Sequence, residues 1–506
     1  MTQDPFPSLP VFPTEGAALR RVGVVDVGSN SVRLVVFDGA ARSPAYFFNE
    51  KVLCGLGAGL AHSGRLNPEG WKKAVGAISR FTTLARRMKL THLMGIATAA
   101  VREARDGPAF CDEIARRTGL RLRVATGQEE ARLAAQGVLL GWPDAGGIIA
   151  DIGGASMELA RVEGGRIGTC VTSSLAPLPL RDLSAKGRRA HIASTLAALK
   201  TAVPGPVETL YLVGGSWRAI ALLHMQRTDY PLPVLHAYEM EQAALLKTAG
   251  WLAGQDAQAL LPLTSTSEAR LELVPYAAQV LGPLIEAFAP TRIAISSYGL
   301  REGALYELMS RELRAKDPLL EACRYMEAQS ARFPGFGDAL YRWIAPLFTD
   351  EDADRHRLIR AACLLHDVHW RSHPDFRATI NFEAITRANL GGVGHPGRIF
   401  LGLALAHRYK SGRSVRPPEP LLSLISREEQ TLAEKVGRAL RLGAMMSGAA
   451  VDVLADAELR LTATTLDLRL GEASAPLVGE AVSRRLTRLA RAFKVEARLT
   501  VTPCPE

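Results

Sequence analysis

Val24-Val25-Asp26-Val27-Gly28-Ser29-Asn30-Ser31-Val32-Arg33-Leu34 is matched, 125 positions on, by Ile149-Ala150-Asp151-Ile152-Gly153-Gly154-Ala155-Ser156-Met157-Glu158-Leu159 without a gap. Each copy is an apolar run, an aspartate, a turn of small residues and a second alternating run, which is the pattern of a β-hairpin. Successive N–H groups in such a turn form a concavity for anions, and an aspartate at the strand end can hold a metal ion or orient water. One hairpin of this kind is ordinary. Two in register predict a duplicated fold with a phosphate site between the halves.

Working outward, strands and helices alternate after each hairpin, the signature of α/β architecture. The first half continues with a helix over Pro68 to Met88, a strand at Leu93 to Ala97, a helix through Arg116, a strand at Leu120 to Val124 and a helix from Glu129 to about Leu140. The second half continues with a strand at Leu210 to Val213, a helix at Tyr276 to Phe288 and a strand at Arg292 to Ser297. Beyond about Ser310 the pattern is helical to about residue 446, and a small α+β region closes the chain. The expected divisions are a disordered tail over 1–19, a first lobe over 20–137, a second over 138–310, a helical domain over 311–446 and a C-terminal domain over 447–506.

Hydrophobic residues make up 47% of the 506 positions and charged ones 22%, as in a water-soluble globular chain. No apolar run reaches the length of a membrane span, and the proline-rich start lacks the order of a signal peptide. The six cysteines are scattered, with no CxxC pair, and read as reduced thiols of a cytoplasmic protein. A net charge of +10 favours a polyanionic partner without naming it. The helix over Ala481 to Phe493 carries Arg484, Arg485, Arg488 and Arg491 beside one apolar face. It is either a solvated amphipathic helix or a wall along a polyanion track.

Three further stretches carry chemistry. Thr126-Gly127-Gln128-Glu129-Glu130-Ala131-Arg132 opens the helix that joins the halves. A carboxylate there either complements the helix dipole or takes a proton from water attacking phosphorus. Adjacent helical residues point about 100° apart, so only one of the two acids faces the cleft. Arg102, after a strand of the first half, neutralises phosphate oxygens or serves in an ion pair. Gly214-Gly215-Ser216 and Ser297-Tyr298-Gly299-Leu300-Arg301-Glu302-Gly303 are small-residue loops after strands, able to approach phosphate or simply to turn.

In this order the motifs resemble the exopolyphosphatase and guanosine pentaphosphate phosphohydrolase (Ppx/GppA) family, of the actin-like, sugar-kinase-like superfamily. The matching stretches are 26–31, 97–102, 127–132, 151–154, 214–216 and 299–303, within about 20 to 310. The resemblance implies a duplicated, ribonuclease H-like pair of lobes, followed by an HD-like helical domain. It implies that Glu130 is the general base, with Arg102 and Asp151 beside it as catalytic residues. Asp26, Asp151 and Glu158 are the implied ligands of Mg²⁺. Gly28, Ser29, Asn30, Ser31, Arg33, Gly153, Gly154, Ala155, Ser156, Gly214, Gly215 and Ser216 are the implied phosphate binders. The expected activity is release of orthophosphate from the end of inorganic polyphosphate, with guanosine pentaphosphate as the alternative substrate. A homodimer is implied; no nucleic-acid or membrane partner is expected. A kinase-like phosphotransferase, an actin-like ATPase and an inactive polyphosphate-binding regulator are the other readings.

The chain departs from the family pattern at Ala155, where a glycine is usual, and at Met157, where the usual residue is a threonine. Its helical region also resembles the HD phosphohydrolase fold through His366-Asp367, expected on a helix from Arg357 to Val368. The supporting histidines (His356, His395, His407) make an incomplete ligand set, so a degenerate, structural HD fold is expected.

Overall fold

The computed structural model describes residues 21–38, 42–410 and 417–502, so the expected N-terminal tail lies outside it. The chain divides into two units, Met1–Asp317 and Pro318–Glu506.

The first unit contains two sheets. β1 (Val22–Val27), β2 (Ser31–Phe37), β3 (Tyr46–Leu53), β4 (His92–Ala97) and β5 (Leu122–Val124) lie in the order β3-β2-β1-β4-β5. β6 (Gly147–Ile152), β7 (Met157–Glu163), β8 (Arg166–Ser173), β9 (Thr209–Val213), β10 (Tyr238–Glu239) and β11 (Arg292–Ile295) lie in the order β10-β11-β9-β6-β7-β8. In both, three antiparallel strands precede parallel crossovers: β1–β2–β3 then β4, and β6–β7–β8 then β9 and β11. The sequence repeat is thus a repeat of topology. β9, flanked by parallel neighbours, is buried at every position, as a strand covered on both faces must be.

The helix Gly127–Gly141 starts at Thr126, whose side chain caps the Glu129 N–H while the Glu129 carboxylate bonds back to the Thr126 N–H at 2.8 Å. Such a capping box fixes the first turn. The helix runs unbroken across the expected lobe boundary at residues 137 and 138. Leu133 and Leu140 pack with Val22, Val24, Val35 and Phe37 of the first sheet, whereas Ala134, Ala135 and Val138 pack with Ile149, Tyr211 and Val213 of the second. One helix serves both lobes because it is apolar on two faces. Against it lies the helix Leu300–Glu307 at backbone contact: a Cβ on Gly303 would stand 1.8 Å from the Leu133 carbonyl oxygen.

The second unit is helical from Pro318–Ser330 to Arg427–Ser447. It then forms a sheet from β12 (Ala457–Leu461), β13 (Thr465–Gly471) and β14 (Glu496–Thr502), with the helix Glu480–Phe493 between the last two. The division into compact units falls at Asp317/Pro318, beside the one expected at 310/311. The Arg438 guanidinium, on the helix Arg427–Ser447, donates to the Arg488 carbonyl at 2.6 Å and so ties the two parts of the second unit together. The helix before the HD pair is Ala353–Leu365, which starts and ends earlier than expected; His366 caps its C-terminus and Asp367 lies beyond it. No helix of the described residues is long and apolar enough to cross a membrane.

Candidate active site

Between the two sheets of the first unit is a cleft of about 240 Å³. Its walls are the two hairpin turns, Gly28 to Ser31 and Gly153 to Ser156, together with Gly214-Gly215-Ser216. The turns are closed alike: Gly28 N–H donates to the Ser31 carbonyl at 3.0 Å and Gly153 N–H to the Ser156 carbonyl at 2.9 Å. Gly214 has φ +108°, and a Cβ there would lie 2.4 Å from the Ile152 carbonyl and 2.8 Å from Asp151 Oδ1. Only glycine lets this loop close over the aspartate. Ala155 also lines the cleft, whereas Met157 is fully buried in the core of the second lobe. Its side chain therefore costs the cleft no ligand, because alternation along β7 turns position 157 inward.

The acids come from four elements. Glu130 is only 8% exposed, and its carboxylate accepts from the Arg102 guanidinium, which also donates to the Ala125 carbonyl at 2.7 Å. Burial raises Glu130 to about 7; Arg102 opposes this, and Asp151 and Asp26 add to it. Glu129 is spent on the helix cap, and the Thr126 N–H holds it below the usual carboxylate range. Of the two adjacent acids, Glu130 is the one in the cleft. Arg102, on the short helix Ala99–Glu103, reaches the site through Glu130.

Asp151 is raised to about 6 by burial, with Arg218 and Arg301 opposing and Asp26 reinforcing. Glu158 faces it directly across β6 and β7 and accepts from the Thr172 hydroxyl at 3.0 Å. Burial, then Glu130 and Asp151, push Glu158 well above the usual range. Asp26 is different: its Oδ2 accepts from Arg301 Nη1 at 2.9 Å. Among the described residues, neither Asp151 nor Glu158 has an ion-pair partner, and no three His, Cys, Asp or Glu side chains are grouped to hold a metal by themselves.

Lys51, Arg218, Arg270 and Arg301 also line the cleft, with Arg33. The sequence reading assigned a role only to Arg33. Arg301 lies inside a quoted loop and Arg218 two residues after Gly214-Gly215-Ser216, at the first turn of the helix Gly215–Arg227; both could have been found by asking which side chains a loop next to the site delivers. Lys51 and Arg270 carry no local signal.

In the second unit the HD pair is engaged otherwise than in a metal centre. Asp367 accepts two bonds from Arg332, at 2.7 and 2.8 Å, and His366 Nδ1 lies 2.8 Å from the Cys363 carbonyl. Burial lowers His366 to about 3, with Arg408 next in effect. His356 sits instead at the Tyr341 hydroxyl, 3.1 Å away.

Residues 35–312 match the model of the Ppx/GppA phosphatase family, and residues 323–499 that of the exopolyphosphatase C-terminal family. Exopolyphosphatase 1 of Mycobacterium leprae is 37% identical over 144 residues, a match spanning 28% of this chain and 42% of that protein. Guanosine-5'-triphosphate,3'-diphosphate pyrophosphatase of Vibrio cholerae is 24% identical over 84% of this chain and 86% of its own length. The crystal structure of an exopolyphosphatase from Cytophaga hutchinsonii has the fold of 57% of this chain, at 22% identity, a TM-score of 0.52 and 97% of its own length covered.

Proposed function

The chain belongs to the Ppx/GppA phosphatase family, and on that premise we propose that it hydrolyses the terminal phosphoanhydride of inorganic polyphosphate, releasing orthophosphate. The observation that carries the reading is Glu130: a buried carboxylate, opposite two glycine turns, whose affinity for a proton is raised to about 7. A general base works best when its pKa lies near the working pH. Glu130 takes the proton from water as the water oxygen attacks the terminal phosphorus. The bridging P–O bond breaks, orthophosphate leaves, and the chain is one phosphate shorter. Arg102 orients the Glu130 carboxylate and keeps it ionisable despite burial. The N–H groups of Gly28 to Ser31 and Gly153 to Ser156 are suited to the oxygens of the transferring phosphoryl group.

The donor set also fits Mg²⁺. Asp151 and Glu158 are two carboxylates directly opposed across neighbouring strands, Glu158 being raised by burial and then by the fields of Glu130 and Asp151, and a divalent cation held by the two would relieve that repulsion. Magnesium is commonly held by one or two carboxylates with substrate phosphates and water completing the shell, so a larger protein cage is not required. When bound, it would neutralise charge on the phosphoryl oxygens. Asp26, already held by Arg301, supports the site as a second-line acid. The same proposal includes a degenerate HD fold in the second unit, supported by the Arg332–Asp367 pair, a cytoplasmic location, supported by free cysteines, and a homodimer.

The test is phosphate release by the purified chain from long polyphosphate, tripolyphosphate and guanosine pentaphosphate, each with Mg²⁺ and with a chelator. Magnesium-dependent release from long polyphosphate is the expected result. Preferential turnover of guanosine pentaphosphate would select the second reading, favoured by the Vibrio cholerae relative. Binding without release, or transfer from ATP to an acceptor, would overturn both.

A further inference from the structure

We propose that Lys51 is a substrate-positioning residue which, paired with Arg33, grips the phosphates behind the scissile bond, so that the chain lies across the first sheet from Glu130 toward β3. The inference rests on the phosphohydrolase reading above and gives the substrate a direction in the cleft.

Lys51 stands directly opposite Arg33 in the β2–β3 register, and both side chains line the cleft. Opposed residues on neighbouring strands have Cβ atoms about 5 Å apart, and like charges there are destabilising. The acids near Arg33 are engaged elsewhere: Asp26, opposite it on β1, accepts from Arg301, and Glu302 accepts from the Tyr46 hydroxyl at 2.5 Å. Arg33 Nε donates to the neutral Asn49 side chain at 2.7 Å, and Glu50, on the other face of β3, pairs with Arg80 at 2.9 Å. Among the described residues neither Arg33 nor Lys51 has an ion-pair partner. The other charges that bear on Lys51 are Arg270 and Arg301, both cationic, and Asp26, which is bonded to Arg301. Enclosure by the cleft first, then these cations, lowers Lys51 to about 8.

Two cations without an ion-pair partner among the described residues, side by side on β2 and β3 in a cleft that also holds Glu130, Asp151 and Glu158, are suited to an anion that spans the difference. Strands lie about 4.8 Å apart, so β3 is about 10 Å from β1, beyond which lie β4, β5 and Glu130. A single phosphate held at Glu130 does not bridge that distance; an extended linear chain of several phosphates does. The ligand class is therefore a linear polyphosphate, and Lys51 acts on binding more than on bond cleavage.

The experiment is steady-state hydrolysis of tripolyphosphate and long polyphosphate by wild type, Lys51→Met and Lys51→Arg, at saturating Mg²⁺. Loss of one charge-assisted contact should raise KM about ten- to a hundredfold in Lys51→Met, with kcat changed by less than about threefold. Lys51→Arg, which keeps the charge, should recover most of the binding. A Lys51→Met KM within twofold of wild type, a loss confined to kcat, or equal impairment of the Met and Arg variants would overturn the assignment. A wild type that releases no phosphate from either chain would remove the functional reading and this inference with it. An active wild type with an indifferent Lys51 removes the inference alone.

Discussion

Replacing Glu130 by Gln should make the protein more stable and nearly inactive, and the two effects have one cause. The Glu130 pKa rises from 4.5 to about 7 on folding because the carboxylate is only 8% exposed and shares the cleft with Asp151 and Asp26. The folded state therefore holds that proton more tightly than the unfolded chain, so ionising Glu130 costs stability. The cost is absent below about pH 4.5, grows as pH rises toward about 7, and is complete above it. At about 1.36 kcal/mol per unit, it reaches ~3 kcal/mol. Glutamine is neutral throughout and does not incur it. Urea unfolding of both proteins between about pH 5 and pH 8 should show curves that nearly meet at the acid end and diverge, in favour of Glu130→Gln, by ~3 kcal/mol at the basic end. Turnover should fall by about 10² to 10⁴ with the base gone. In the wild type, kcat/KM should rise with pH on a limb that levels near pH 7. Parallel stability profiles in the two proteins, or a variant within tenfold of wild-type turnover, would refute the account of Glu130 as a base held at a cost to the fold.

Gly303→Ala puts a methyl group 1.8 Å from the Leu133 carbonyl, and the helices Gly127–Gly141 and Leu300–Glu307 must separate to admit it. Overpacking of this kind costs about 1–3 kcal/mol; Glu130 lies three residues from Leu133, so both melting temperature and turnover should fall, and a variant with wild-type melting would disprove the backbone contact. Asp367→Asn removes a buried carboxylate from its two bonds with Arg332. The carboxyl is held below its usual range by Arg332 and His366 against the burial that would raise it, so its contribution is present at neutral pH and lost on acidification. The variant should lose about 1–3 kcal/mol at neutral pH while hydrolysing polyphosphate at the wild-type rate; abolished turnover would show that the HD pair serves a chemical role.

The parts of the site that were legible in the sequence are those built by one short segment. Asp26 with its turn, Asp151 with its turn and the Glu130 helix each declare themselves because strand, turn and chemistry are contiguous. The residues alone left Glu129 and Glu130 open and the family resemblance favoured Glu130; the structure supplies the reason, a capping box that engages Glu129. What stayed hidden was delivered by tertiary packing. Arg270 comes from the four-residue helix Glu268–Leu271, which has no signal of its own, and reaches the cleft against Gly215. Lys51 sits on a strand whose register against β2 no local pattern fixes. The Gly127–Gly141 helix, read from the sequence as joining the halves, packs one face on each sheet, which no local pattern shows. Met157 departs from the usual threonine at a position that the alternation of β7 turns into the core, which the motif by itself does not show.

The duplication that builds the cleft also accounts for where its ligands go. The corresponding positions in the two hairpins are occupied by different charge pairs. In the first, Asp26 opposes Arg33, an attractive pair. In the second, Asp151 opposes Glu158, a repulsive one. One strand further out, Arg33 opposes Lys51, repulsive with the opposite sign. A folded chain gains nothing from either repulsive pair by itself, since directly opposed like charges cost stability in any sheet. Both costs fall if a cation rests on the acidic pair and a phosphate chain rests on the basic one. The two costs are relieved together by a metal-bound polyanion, whereas each ion alone leaves one of them in place. Binding of magnesium and of the phosphate chain should therefore be mutually reinforcing, because each ligand supplies the charge that the other's subsite lacks.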